Sequence, residues 1–136
     1  MENERFEEME HTADIAIRVW GSTLAELFAN AAYGMACQLT DIRDVEVTIT
    51  REIALQADDV EMLLVEWLGE LLFLGEQENA AFVEFTMEQV TPHALRAVAR
   101  GGRITEHQGH IKAVTFSELD VERTDDGYET ALVFDV

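Results

Sequence analysis

Apolar residues recur along this chain in two periods. Ile15, Ile17 and Val19 fall on every second position, with Asp14, Ala16, Arg18 and Trp20 on the other face. Period two marks a strand with one side turned to a core. Gly21 ends it, and the acidic segment 5–10 reads as a short strand entering the same sheet. The period then changes. Leu24, Leu27, Phe28, Ala31 and Met35 form one helical stripe, which should stop near Cys37 or Gln38. Ser22 or Thr23 caps this helix, and Thr23-Leu24-Ala25-Glu26 fits a capping box. After a polar connector at 40–44, Val45, Val47, Ile49, Ile53 and Leu55 alternate with polar residues, the clearest half-buried strand in the chain.

A second helix starts at Asp58-Asp59-Val60-Glu61, whose acids suit the N-terminal dipole. Val60, Leu63, Leu64, Trp67, Leu68, Leu71 and Leu72 form its core stripe, and Met62, Val65, Phe73 and Leu74 widen it. A helix this apolar is central or part of an interface. Gly69 inside it costs about 1 kcal/mol against alanine, which predicts a close backbone contact. From Ala81 onward the pattern is nearly all β: a strand through Val83, Phe85 and Met87, a turn at Pro92, and a return strand over 94–100 closed by Gly101-Gly102. A polar loop over 103–109 follows. A longer strand then begins at Ile111, with a phase change between Phe116 and Leu119 that predicts a bulge. Thr124-Asp125-Asp126-Gly127 gives a hairpin turn and Tyr128–Val136 the closing strand. The order of elements predicts one α+β domain over residues 1–136, with mainly antiparallel sheets and two helices packed on them.

Charge changes the picture most. There are 28 acidic and 9 basic residues, for a formal net charge of −19. Such a surface repels phosphate backbones, so RNA contact without a partner is disfavoured. The expected partners are metal ions, small molecules or a basic protein surface. With one cysteine, Cys37, no internal disulfide is expected. With no charged-then-apolar leader and no membrane-length apolar run, a soluble cytoplasmic protein is expected, without a membrane partner.

Asp14 at the mouth of one strand and Asp135 inside the last are the first candidates for chemistry. If the two strands pair, both carboxylates and the carboxylate of Val136 come together as an oxygen-rich set suited to calcium or magnesium. The plain alternatives are a turn residue at Asp14 and a frayed end at Asp135. Among the histidines, His107 and His110 have a spacing that could hold a metal, but the glycine and polar neighbours favour a solvent loop. Lys112 is the only lysine beside eight arginines. It offers a compact point charge that a planar guanidinium does not replace, against the alternative of chance composition.

Taken in order, His11-Thr12-Ala13-Asp14-Ile15, Gly21-x-Thr23-Leu24, Trp67-Leu68-Gly69-Glu70-Leu71-Leu72, Ile111-Lys112-Ala113-Val114-Thr115 and Val133-Phe134-Asp135-Val136 resemble the archease family across essentially the whole chain. The resemblance implies a non-enzymatic protein cofactor of the RtcB-type RNA ligase of tRNA splicing. Such a cofactor promotes guanylylation of the ligase's active-site histidine and multiple turnover. It further implies a divalent cation, calcium with magnesium or manganese as alternatives, on Asp14, Asp135 and Val136. The family's functional lysine falls on Lys112, with His11 and His107 as weaker candidates, and RNA is reached only through the ligase. The loop 103–110 is shorter than is usual in the family, and Val114-Thr115-Phe116-Ser117 stands where tyrosine and histidine are common. Two other functions fit the composition: a chaperone or modulator of RNA-modifying proteins, and a small metal-dependent hydrolase.

Overall fold

A computed structural model describes residues 5–9, 15–105, 109–115 and 119–136. The chain runs β1 (Phe6–Met9), β2 (Ile15–Gly21), α1 (Leu24–Leu39), a 3₁₀ turn (Ile42–Asp44), β3 (Ile49–Gln56), α2 (Val60–Glu78), β4 (Ala80–Val90), β5 (Ala94–Arg103), β6 (Ala113–Thr115), β7 (Glu122–Thr124) and β8 (Gly127–Asp135). Its strands make two antiparallel sheets. One has the order β1-β2-β8-β6 with β7 also on β8; the other has the order β3-β5-β4. The α+β architecture with two helices is the one the hydrophobic pattern predicts.

Both helices begin where the capping residues place them. Thr23 Oγ1 accepts the Glu26 amide at 3.1 Å, and the Glu26 carboxylate reaches back to the Ser22 amide at 2.7 Å. The box therefore closes one residue earlier than the usual pairing with the cap itself. Asp59 caps α2 by accepting the Met62 amide at 2.7 Å. The helix ends on Asn79, left-handed at φ 52°, a conformation asparagine tolerates better than most residues. Trp67 ties three elements together. Its ring is fully buried, its indole N–H donates to the Phe28 carbonyl of α1 at 3.0 Å, and it meets Phe85 of β4 edge-to-face at 5.9 Å. The bond satisfies a donor that would otherwise be costly in an apolar core.

Several expected boundaries shift for physical reasons. The strand expected from Val45 begins at Ile49, although the Thr48 amide still donates to Gly101. Gly101 and Gly102 do not close β5 but lie inside it. A Cβ on Gly101 would stand 2.0 Å from the Ala81 carbonyl oxygen, and one on Gly102 would stand 1.8 Å from that of Glu46. Glycine here admits a close backbone rather than a turn. Gly69 shows the reverse: among the described residues a Cβ there meets nothing within 4 Å, and none of them makes the expected close contact. The long strand expected from Ile111 is confined to Ala113–Thr115 among the described residues. The bulge expected after Phe116 falls partly on residues 116–118, outside the described residues. Two register shifts appear instead in β4, between Phe82 and Glu84 and between Met87 and Glu88's neighbour Gln89.

A candidate site at the open end of the larger sheet

β8 is the hub of the five-stranded sheet. It pairs with β2 along its whole length, from Ile15 opposite Phe134 to Gly21 opposite Tyr128. Alternation puts Ile17, Val19, Leu132 and Phe134 on the core face, all fully buried. Ala16 and Val133, opposite one another on the other face, are also buried. Farther along that face, Arg18 and Glu129 form a half-exposed ion pair at 2.9 Å, worth little in stability. The apolar run holds β8 in register up to Phe134, so the next residue, Asp135, is delivered to the surface in strand conformation. The end is not frayed.

Asp135 meets β6 there. It stands opposite Ala113, and its carbonyl accepts the Lys112 amide at 2.7 Å. Lys112 therefore lies just before β6 rather than within it, as the sequence pattern had it, but the ladder still holds its backbone. Ile111, fully buried, anchors the residue on its other side. The side chains of Lys112 and Asp135 are both exposed. A lysine and a carboxylate thus stand on hydrogen-bonded neighbouring segments.

Asp14, His11 and His107 lie outside the described residues. Among the described residues, no three histidine, cysteine, aspartate or glutamate side chains come together to hold a metal ion. Of the expected cation ligands, Asp135 and Val136 are described and exposed at this sheet end. A carboxylate and main-chain oxygens are the donors hard divalent cations take. That chemistry fits calcium, magnesium or manganese. His110 is exposed and lines a different feature.

That feature is an apolar cavity of about 310 Å³ between α1, the C-terminal half of α2, the start of β4, Ile104 and residues 109–111. Met35, Leu39, Leu72 and Ile104 line it, with Glu76 and His110 as its ionisable groups. The hydrophobic pattern gave no sign of it, because its walls come from three stretches far apart in the chain. Cys37 offers no reactive centre. Burial pushes its thiol above the usual range, which keeps it protonated and poorly nucleophilic. Among the described residues, no helix is long and apolar enough to cross a membrane.

Residues 6–136 match the Archease protein family (MTH1598/TM1083). The archease of Methanosarcina acetivorans is 36% identical over 143 residues, covering 99% of this chain and 98% of that protein. The archease of Saccharolobus islandicus is 38% identical, covering 96% and 98%. In three dimensions, the solution structure of protein 1598 of Methanobacterium thermoautotrophicum superposes with a TM-score of 0.80 at 30% identity, over 96% of this chain and 98% of that one. A crystal structure from Thermotoga maritima, of an archease described as a possible chaperone, shares the fold with a TM-score of 0.69 at 23% identity, over 99% and 100%.

Proposed function

The chain belongs to the archease family, and on that premise we propose that it activates an RtcB-type RNA ligase without chemistry of its own. It promotes guanylylation of the ligase's active-site histidine and lets each ligase molecule turn over many times. One observation carries the reading: the Lys112 amide donates to the Asp135 carbonyl, so two exposed, oppositely charged residues stand on adjoining backbone segments at the end of β6 and β8.

Asp135 and Val136 would hold a divalent cation together with Asp14. Asp14 directly precedes Ile15 in the sequence, and Ile15 stands opposite Phe134. A bound cation supplies positive charge to phosphate oxygens. Lys112 brings a second, compact positive charge to the same end of the sheet, suited to a triphosphate whose charge shifts during nucleotidyl transfer. The net charge of −19 supports a basic protein partner, with RNA held by the ligase rather than by this chain.

The test is RNA joining with ligase far below substrate. With this protein, GTP and a divalent cation present, product should exceed ligase many-fold; without the protein it should stop near one turnover. Equal yields in both reactions contradict the proposal. The alternative of a chaperone or modulator draws support from Phe73, which is 55% exposed, as an apolar contact for client proteins. It predicts protection of several clients from aggregation with Lys112→Ala as effective as the wild type.

A further inference from the structure

α2 buries Leu63, Leu64, Trp67, Leu68, Leu71 and Leu72, yet its opposite side is not simply polar. Phe73 projects there, the most exposed large hydrophobic side chain among the described residues, at 55%. Gly69 precedes it by four residues and therefore lies directly beside it on the helix surface. A glycine in a helix interior weakens the helix and is usually retained because a neighbour needs the space. That holds for Gly34 in α1, where a Cβ would come within 2.8 Å of the Ile17 side chain. Gly75 of α2 is similar, with the Ala80 carbonyl oxygen 2.7 Å away. At Gly69 nothing lies within 4 Å. Among the described residues, no contact requires the missing side chain.

We propose that the Gly69–Phe73 face of α2 is a docking surface for a basic protein. Gly69 leaves a notch that receives an apolar side chain of the partner, and Phe73 is the reciprocal knob. Charge selects the occupant. Glu66 and Glu70 run along the same side of the helix at a spacing of four, and among the described residues neither forms an ion pair. A partner with arginine or lysine around its apolar contact would neutralise them. A second copy would instead meet the same carboxylates, on a chain whose net charge is already −19. The inference rests on the ligase reading for the partner's identity: this face is the grip on the ligase, separate from Lys112 and Asp135.

The experiment is calorimetric titration of the full chain against the RtcB-type ligase of the same organism. Phe73→Ser and Gly69→Leu change solvent-facing positions, and circular dichroism should show both folded. Each should weaken binding by at least about tenfold, as expected for loss or blockage of an anchor. Glu66→Gln with Glu70→Gln should flatten the dependence of Kd on salt. Lys112→Ala should bind like the wild type while failing to activate. Unchanged affinity in both Phe73→Ser and Gly69→Leu, with the wild type binding, overturns the docking surface and leaves the ligase reading standing. A wild type that does not bind the ligase overturns both. A wild-type dimer in sedimentation, converted to monomer by Phe73→Ser, assigns the face to a second copy and overturns the choice of partner.

Discussion

The two sheets are built on different plans. The three-stranded sheet is made from neighbours in sequence, in strands of 8, 11 and 10 residues. α2 packs on it through Trp67, which meets Phe85 edge-to-face at 5.9 Å, while Glu84, Thr86 and Glu88 of β4 are exposed. Charges there have partners, such as Arg96 with Glu88 at 3.7 Å and Arg100 with Thr86 at 3.3 Å. The five-stranded sheet joins strands from both ends of the chain and includes two strands of only 3 residues. It ends in Asp135 and Lys112, joined through the backbone and exposed at their side chains. The first sheet spends its residues on a core. The second uses a long-range pairing to bring two exposed, oppositely charged residues onto adjoining backbone segments at one end.

The contrast breaks most severely at Trp67. Trp67→Ala removes the ring that joins α1, α2 and β4, and with it the indole bond to the Phe28 carbonyl. The expected loss is about 3–5 kcal/mol, read as a fall in the chemical-denaturation midpoint. A loss below about 1 kcal/mol would mean that the core is not centred there. Asp135→Asn probes the other region. Without added metal its stability should stay within about 0.5 kcal/mol of the wild type, since the carboxylate is exposed. With millimolar calcium the wild type should gain Tm by mass action and Asp135→Asn should not. Equal gains in the two proteins would remove Asp135 from the cation site.

Much of the scaffold was legible in the sequence because its signals are local. Thr23 and Asp59 announce their helices by side-chain capping, and the alternation in β2 and β8 puts Ile17, Val19, Leu132 and Phe134 on the core face, although Ala16 and Val133 on the other face are buried too. Glycine was legible only as an exception to its surroundings. Gly101 and Gly102 looked like a strand end, but the backbones that approach them, at Ala81 and Glu46, come from elsewhere in the chain. Gly69 looked like a packing position and is a bare one. The same limit applies to the candidate site. Asp135 and Lys112 stand out as residue types, whereas their adjacency depends on the pairing of β6 with β8, which alternation alone does not specify. The cavity near His110 gave no signal for the same reason.

Smaller effects sharpen the comparison. Gly69→Ala should raise stability by up to about 1 kcal/mol, because a helix interior gains propensity and a Cβ there meets nothing. A fall in Tm would show that the glycine serves the fold after all. The smallest effect lies at the 3₁₀ turn. There the Arg43 guanidinium, bonded to Asp41, holds that carboxyl down at about 2. A carboxyl with a lowered folded-state pKa stabilises above its unfolded value near 4 and loses that contribution as pH falls toward 2. Both groups are on the surface, so screening keeps the effect small. Asp41→Asn should therefore differ from the wild type slightly at pH 7 and converge with it near pH 2. Divergence on acidification would reverse the sign and contradict the pairing.

The central claim is that the charged end of the larger sheet acts on the ligase. Its most direct measurement is the initial rate at which labelled GTP guanylylates the ligase histidine, with wild type, Lys112→Ala and Lys112→Arg compared at equal occupancy of the ligase. The wild type should accelerate the step. Lys112→Ala should give the rate of ligase alone, and Lys112→Arg should fall short of the wild type, because a planar fork does not replace a compact ammonium. Acceleration by Lys112→Ala equal to that of the wild type would contradict the account.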